Sequence, residues 1–556
     1  MRTFTAWMSL LLSSFLFLGG ADKAFSKDAG SGQALYEANC AICHGVKGDG
    51  RGPGSYLLSP KPRDFTKGIF KFKSTPTGSL PADSDLLRVI GEGIPGTSMP
   101  SWPSLDEASR REIVAYIKTF SPRFQSEQPA AAVSISDSPV LDAASIERGK
   151  KAYETLACVA CHGAAGRGDG IGGSALKDAW GDPIRPLNFT SGAKMRGGGT
   201  ARDLFRTLKV GMEGTPMPVF GYLPDDQLWD LAAYVHSLGI KQPPFKPSAD
   251  AAIAVKVIDG EIPLAPDDAR WRESPAVGVA VRPLWSRDKA PDYVMVRGMT
   301  NGKEIAFCVE WADASAETAM LRPQDFRDAV ALQFPVLSEQ NPDAPLFAMG
   351  SKDKPVNIWH WKADWQRDLA GFQDMGTQYA GLAIDAYPRD AEERRAYQSG
   401  WAAGNPMSVR DHSSPVEDLT ATGIGTLTSQ PVADQNVDGR GVWSDGEWRV
   451  VFRRSLSSSG ESDARFSLES ADKMRLAVAV WDGAASDRNG QKLVSEWRRL
   501  RVDGAPRQAA KGGGCVLSNS KNSVDGASLL LMGAFAMAVL RRRRYQLMEG
   551  EEKCSD

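Results

Sequence analysis

The spacing of apolar residues divides the chain into a helical first half and a β-rich second half. Up to about residue 240, apolar positions recur at helical spacing; the segment 106–120, for example, places Ile113, Ile117 and Phe120 on one face. After residue 244 this spacing gives way to short alternating runs that are separated by tight-turn dipeptides. We therefore expect all-α domains followed by an all-β domain.

Two hairpins stand out in the second half. Asn301-Gly302 separates alternating runs, and Asp445-Gly446 lies inside the segment 443–456; both dipeptides favour a two-residue turn between antiparallel strands. Further strands fit the segments 278–285, 329–334, 356–361, 476–481 and 493–502. Many short strands with turn signals predict an antiparallel β-sandwich of about 250 residues.

The helical half contains a duplication. Each copy has a Cys-x-x-Cys-His motif and, 55 residues after its histidine, a methionine within Gly-Thr-x-Met-Pro. The residues are Cys40, Cys43, His44 and Met99 in the first copy, and Cys158, Cys161, His162 and Met217 in the second. Both the first cysteine and the methionine are displaced by 118 residues between the copies, which indicates two similar domains.

Two thiols at this spacing can bond to the two vinyl groups of one haem, while the adjoining histidine provides an axial nitrogen to the iron. The motifs resemble those of class I c-type cytochromes, and we place the two domains at residues 27–125 and 140–245. The resemblance implies two covalently attached haems c, with His44 and His162 as proximal ligands and Met99 and Met217 as distal ligands.

The sequence alone also permits other interpretations of the motifs and other methionine ligands. A single Cys-x-x-Cys-His could be a redox dithiol or half of a zinc site. Met195 and Met212 compete with Met217 for the second iron, although Met217 alone is in register with Met99 and is followed by proline as Met99 is. A histidine and a thioether would raise the haem potential and fill both axial positions, which favours electron transfer over catalysis at the iron.

The β-rich half resembles a second family. The segments 326–335, 345–350 and 356–366 are similar to the haem-binding domain of the ethylbenzene dehydrogenase γ subunit and its relatives, and the resemblance covers residues 250–505. It implies a b-type haem in a β-sandwich, with Met349 and Lys492 as iron ligands. A lysine ligates only as the free amine, so its site must lower the amine's pKa. His360 and His412 are the alternative ligands in this half.

The two ends of the chain predict export. Residues 1–26 have the layout of a secretory signal peptide, with Arg2 before an apolar run and small residues near Ser26. Residues 510–556 resemble a bacterial sorting tail or a membrane anchor, with a short hydrophobic helix before four arginines at 541–544. We therefore expect a periplasmic protein, either tethered to the cytoplasmic membrane or processed at this tail.

The charge balance gives no indication of nucleic-acid binding, and the remaining cysteines give no indication of a disulfide-stabilised fold. The chain has 66 basic and 68 acidic residues, so nothing indicates a nucleic-acid partner. Cys308, Cys515 and Cys554 do not form a disulfide framework, and Cys308 is interpreted as a small buried hydrophobic residue.

The sequence thus predicts a multihaem electron-transfer protein that relays electrons between a redox enzyme, by family analogy a molybdenum oxidoreductase, and respiratory acceptors. One alternative is a haem enzyme, such as a di-haem peroxidase or a dehydrogenase. In another, the β domain is a haem-free binding module beside two haems c.

Overall fold

The computed structural model describes residues 29–103, 105–190, 195–239, 252–287, 289–337, 344–345, 349–379, 381–382, 412–468 and 474–503. The expected signal peptide (1–26) and C-terminal tail (510–556) lie outside this part of the chain. Within it, no helix combines the length and the apolar character that crossing a membrane requires. All described residues belong to one compact unit, which ends at Ala505.

The first helical domain contains five helices. They are α1 (Ala29–Asn39), α2 (Ala41–His44), α3 (Asp83–Glu92), α4 (Glu107–Lys118) and α5 (Arg123–Ser126). Asp106 caps α4, since its side chain accepts a hydrogen bond from the Ser109 amide at 2.7 Å. Helix α1 packs across α4 at Gly32, where a Cβ atom would lie 2.4 Å from the Glu112 carbonyl oxygen. The glycine therefore allows the two helix backbones to approach closely.

The second helical domain repeats this arrangement. Its helices are α6 (Ala143–Thr155), α7 (Val159–His162), α8 (Ala201–Val210) and α9 (Asp225–Leu238). Helix α6 crosses α9 at Gly149, where a Cβ atom would lie 1.9 Å from the Asp230 carbonyl oxygen. Glu112 and Asp230 are 118 residues apart, so the duplication preserves the helix crossing itself.

The described residues of the third domain form fourteen strands and three short α-helices. The strands are β1 (Ile253–Val257), β2 (Val277–Ala280), β3 (Arg282–Pro283), β4 (Tyr293–Thr300), β5 (Glu304–Ala312), β6 (Ala329–Pro335), β7 (Val356–Lys362), β8 (Val416–Ala421), β9 (Thr428–Ser429), β10 (Asp438–Ser444), β11 (Glu447–Ser455), β12 (Arg475–Trp481), β13 (Leu493–Val494) and β14 (Arg498–Val502). The helices are α10 (Arg270–Glu273), α11 (Ala363–Asp368) and α12 (Met375–Gln378).

The predicted hairpins are confirmed. Strands β4 and β5 pair antiparallel through a four-residue loop that begins with Asn301-Gly302, since Thr300 pairs with Ile305, and β10 and β11 pair around the two-residue turn Asp445-Gly446. Asp445 and Gly446 have φ angles of 54° and 78°, in the left-handed region that a type I′ hairpin turn requires at both central positions.

The prediction of a wholly antiparallel sheet is wrong in one respect. The strand order is β10-β11-β5-β4-β1-β14-β12-β6-β7-β8-β9, and β1 lies parallel to both of its neighbours, β4 and β14. The sheet is therefore mixed. The segment containing β1 was not identified as a strand, and its partners lie far away in the sequence, so no local turn signal reveals the pairing.

The sheet folds over so that its two halves face each other. Phe307 on β5 contacts Phe334 on β6 and Trp359 on β7, with ring centroids 5.7 and 6.3 Å apart, although β5 is not hydrogen-bonded to either strand. Trp361 and Trp448 pack in the same core at 5.0 Å. Trp311, Trp359, Trp361 and Trp448 thus fill the space between the layers.

Candidate cofactor sites

The first Cys-x-x-Cys-His motif lies at the junction of α1 and α2. Cys40, Cys43 and His44 all face one cavity, and the His44 ring stacks on Phe65 with centroids 4.5 Å apart. Its Nδ1 lies 3.0 Å from the Arg63 carbonyl oxygen, and this contact orients the imidazole so that Nε2 is left for a metal. Burial lowers the pKa of His44 to about 4, which keeps the ring neutral, as ligation requires.

The second motif has the same construction. His162 stacks on Phe189 at 4.6 Å, and its Nδ1 lies 3.4 Å from the Leu187 carbonyl oxygen. Burial again lowers the pKa of the imidazole. In both domains a buried tyrosine hydroxyl, of Tyr36 or Tyr153, donates to the carbonyl of the glycine after the histidine, at 2.8 Å.

The methionine loops are also duplicated in detail. Thr97 donates its hydroxyl to the Ile94 carbonyl at 2.8 Å and accepts a bond from the Met99 amide at 3.2 Å. Thr215 does the same with the Met212 carbonyl at 2.7 Å and the Met217 amide at 3.2 Å. Met212 therefore occupies the position of Ile94, which has no ligating atom. This equivalence favours Met217 over Met212 as the counterpart of Met99.

All eight predicted residues of the two motifs and methionine loops line one continuous cavity of about 670 Å³. Met195 and Met212 also line it, so the competing methionines remain close to the second site. Leu284 and Ile424 of the β domain contribute to the same cavity, which is therefore enclosed by all three domains. The two motifs do not occupy separate pockets.

The chemistry of these residues fits haem. The cavity walls are largely apolar, with residues such as Phe70, Leu86, Leu208 and Val235, and they suit a porphyrin better than a small ion. Burial raises the pKa of the Cys40 thiol to about 12 and that of Cys43 to about 11. Redox dithiols and zinc ligands need stabilised thiolates, whereas the buried surroundings of Cys40 and Cys43 disfavour the thiolate form.

The candidate ligands of the β domain lie on the outer face of β6, β7, β8 and β12. Trp359 and Trp361 face the core between the layers, so His360, between them in sequence, faces outward. Its ring packs against Trp481 with centroids 4.7 Å apart, and its buried Nε2 has no hydrogen-bond partner among the described residues. Met349, in the left-handed conformation with φ of 62°, packs against the apolar cluster of this face.

Lys492 reaches the same face. Its Nζ lies 4.8 Å from the centre of the Trp481 ring, and it makes no hydrogen bond or ion pair within the described part of the chain. Burial lowers the pKa of this amine to about 8. Burial also lowers the pKa of His360 well below its usual value, and the positive charges of Lys362, Arg327 and Lys492 contribute to this shift. Met349, His360 and Lys492 thus lie around one aromatic surface.

His412, the other alternative ligand, has different surroundings. Its ring stacks on Trp365 of α11 at 3.8 Å, beside the buried ion pair between Lys362 and Glu417. No described contact joins it to Met349 or Lys492. The geometry therefore favours His360 over His412 as the fallback ligand.

Backbone contacts connect the Lys492 segment to the shared cavity. The Lys492 carbonyl accepts a hydrogen bond from the amide of Leu284, a cavity residue, at 3.0 Å. Four residues later, Glu496 pairs with Arg282 at 3.0 Å and accepts a bond from the Ser101 hydroxyl at 3.2 Å. Ser101 is two residues from Met99. The Lys492 segment is therefore hydrogen-bonded to the loop that contains Met99 of the first cytochrome domain.

Sequence reasoning missed Arg63 and Leu187, whose carbonyls orient the two histidines. Each lies two residues before a Phe-Thr dipeptide, Phe65-Thr66 in the first copy and Phe189-Thr190 in the second, so the repeat contained the signal. The Arg63 guanidinium also stacks 4.0 Å over Trp180 of the second domain, a contact that no sequence pattern indicated. That contact joins two domains and has no counterpart in the repeat.

Comparison with known proteins confirms the expected resemblances. Residues 268–493 match the family described as Ethylbenzene dehydrogenase, residues 146–239 match Cytochrome c, and residues 27–117 match Cytochrome C oxidase, cbb3-type, subunit III. The helical domains are therefore cytochrome c domains, a class that carries covalently bound haem c, beside a large β-sheet domain.

Several relatives match nearly half of the chain. A candidate respiratory nitrate reductase haem subunit of Haloferax mediterranei is 27% identical, over 45% of this chain and 72% of that protein. The dimethylsulfide dehydrogenase subunit gamma of Rhodovulum sulfidophilum is 28% identical, over 45% and 82%. The chlorate reductase subunit gamma of Ideonella dechloratans is 25% identical, over 46% and 86%.

A solved structure matches the chain more closely in sequence. A chain of the Kuenenia stuttgartiensis reducing HAO-like protein complex is 42% identical, and the match covers 38% of this chain and 96% of that one. Its TM-score is 0.37.

Proposed function

We propose that this chain is an electron-transfer haem subunit with two haems c and one haem b, which exchanges electrons with a molybdenum oxidoreductase. The observation that supports this most is the single cavity lined by both Cys-x-x-Cys-His motifs and both methionine loops. Two cofactors in one cavity would lie close together. Haem would supply reversible one-electron redox chemistry, and the protein would supply orientation and tuning.

Within this proposal each haem c has a complete ligand set. Cys40 and Cys43 anchor the first haem, with His44 and Met99 as axial ligands. Cys158 and Cys161 anchor the second, with His162 and Met217. Filled axial positions leave no site for a substrate at either iron, which agrees with electron transfer rather than peroxidase chemistry.

The haem b is assigned to the outer face of the β domain, with Met349 and Lys492 as ligands. The free, buried amine of Lys492 and the position of Met349 on the same apolar face support this assignment. The gamma and haem subunits among the relatives support a role beside a larger redox enzyme. We place the protein outside the cytoplasm, where c-type haem is attached.

The contacts of the Lys492 segment suggest the order of the relay. Glu496 reaches Ser101, next to the methionine loop of the first domain, and the Lys492 backbone reaches Leu284 at the cavity wall. Electrons would therefore pass between haem b and the haem of the first domain, and from there across the shared cavity to the second.

The test is a pyridine haemochrome analysis of the full chain, produced in a host that attaches haem c. The proposal expects two haems c and one haem b per chain, and extraction with acidified acetone should remove only the haem b. Two haems c without haem b would refute the third site. Ready binding of carbon monoxide by most of the reduced haem would refute the electron-transfer assignment.

A further inference from the structure

Four acidic residues, none of them a candidate haem ligand, converge at one end of the β domain. They come from three segments: Asp313 and Glu317 follow β5, Asp328 precedes β6, and Asp482 follows β12. One carboxylate oxygen from each lies within 4.8 Å of the others. Oxygens that bind one calcium ion at 2.3–2.6 Å are separated by at most about twice that distance, so this cluster has the right span for a single ion.

Two of the carboxylates have buried oxygen atoms without a partner. Asp313 is only 8% exposed, and its Oδ2 makes no hydrogen bond within the described residues. The Oε2 of Glu317 is likewise buried and unpartnered. Leaving a buried charged oxygen without a partner is costly, and the natural compensation is a cation bound between these oxygens.

The other two carboxylates are already held in place. Asp328 accepts hydrogen bonds from the amides of Glu317 and Gly483 at 2.7 and 2.8 Å, and from the Trp448 indole at 2.9 Å. Asp482 accepts from the Ala485 amide at 3.0 Å. Carboxylate oxygens with one such bond keep a lone pair for a metal. The cluster is therefore fixed before any ion binds.

Glycine at position 483 permits this close approach. A Cβ atom there would lie 2.3 Å from the Phe326 carbonyl oxygen and 2.6 Å from the Glu317 Cβ. Only glycine allows the β12 end to come so near to the Glu317 segment without displacing it.

The charges around the cluster are unbalanced. Burial, followed by the negative charges of Asp328 and Asp482, raises the pKa of Asp313 to about 7. Burial also raises the pKa of Asp328 to about 6. Among the described residues, no lysine or arginine forms an ion pair with any of the four side chains, and the nearby Arg322 and Arg327 pair with Asp325 and Asp364 instead. The repulsion is therefore not relieved by the protein itself.

We propose that Asp313, Glu317, Asp328 and Asp482 bind one calcium ion, which ties the ends of β5, β6 and β12 together. All four ligands are oxygens, which a hard divalent cation prefers and which a softer metal does not select. The ion also braces the third cofactor site, because Asp482 directly follows Trp481, the aromatic ring between His360 and Lys492.

The test uses the full holoprotein, first dialysed against EGTA and then supplied with 1 mM calcium chloride or with EGTA alone. Calcium should raise the melting temperature by at least about 5 °C, because it binds the folded state only. Metal analysis after gel filtration should find one calcium per chain. Magnesium at the same concentration should have a smaller effect, since it requires a tighter octahedron.

Variants separate this site from other calcium-binding positions. Asp313→Asn and Glu317→Gln should each abolish the calcium-dependent shift, and in EGTA each should melt at or above the temperature of the unsubstituted protein because one repelling charge is gone. Asp267→Asn, at an exposed carboxylate outside the cluster, should leave the shift intact.

Two results would overturn the proposal. The first is an identical melting temperature in calcium and EGTA with no bound calcium. The second is an undiminished calcium response in both Asp313→Asn and Glu317→Gln, which would place the ion elsewhere. Neither result depends on the haem content, so the proposed function is tested separately.

Discussion

Lys492 provides the sharpest test of the third cofactor site. An amine binds iron only in its neutral form, and burial lowers the pKa of Lys492 from 10.5 to about 8. At pH 7, a pKa of 8 leaves about one amine in ten neutral, whereas a pKa of 10.5 leaves about three in ten thousand. Burial therefore raises the ligation-competent fraction about 300-fold.

The sign of the pH dependence follows from this shift. Ligation releases a proton from the lysine, so raising the pH towards 8 favours the lysine–iron bond and lowering it favours dissociation. Because the iron also competes with the proton, the midpoint of dissociation should lie below about 8. The haem b should change from a low-spin to a high-spin spectrum as the pH falls, while the spectra of the haems c remain constant.

The assay is a pH titration of the optical spectrum of the full chain. Lys492→Ala should lose the haem b or give a high-spin haem b at every pH, whereas Lys352→Ala, at an exposed lysine, should behave like the unsubstituted protein. If Lys492→Ala keeps an unchanged low-spin spectrum, the assignment is wrong. If His360→Ala then abolishes that spectrum, His360 is the ligand.

Two further predictions concern the cytochrome domains. Gly149→Ala should destabilise the second domain by about 1–3 kcal/mol in thermal unfolding, because α6 and α9 must separate. Gly91→Ala is the control and should be neutral or stabilising, since its new Cβ meets only the flexible end of Arg110. Equal melting temperatures of the two variants would contradict this packing argument. Met217→Ala should make one reduced haem c bind carbon monoxide, whereas Met212→Ala should not, and the reverse outcome would exchange their roles.

Local signals made much of the fold predictable. The Asn301-Gly302 and Asp445-Gly446 dipeptides predicted two hairpins, although only Asp445-Gly446 forms a two-residue turn and the loop that begins with Asn301-Gly302 has four residues. The duplicated motifs fixed the order of the helical domains, and α4 lies within the segment 106–120 where apolar spacing predicted a helix. These features depend on residues that are close together in the chain.

Contacts between distant segments were not predictable. Strand β1 lies between β4 and β14, which follow it by about 40 and 245 residues, and no turn connects it directly to either. The acidic cluster joins Asp313 to Asp482 across 169 residues, and no member of it belongs to a recognisable motif. The shared cavity was also unexpected, because each cytochrome domain by itself suggests a pocket of its own.

The segment from Lys492 to Glu496 explains why three cofactors would belong in one chain. Electron transfer between centres requires short distances that do not fluctuate, and separate subunits would have to re-form those distances at each encounter. Here Glu496 pairs with Arg282 and accepts a bond from Ser101, while the Lys492 backbone is bonded to Leu284. Glu496→Ala breaks the ion pair with Arg282 and should therefore slow electron exchange between haem b and haem c, without changing the haem content. The rate is measured after a fast pulse of reductant. An unchanged rate would show that this segment does not control the distance.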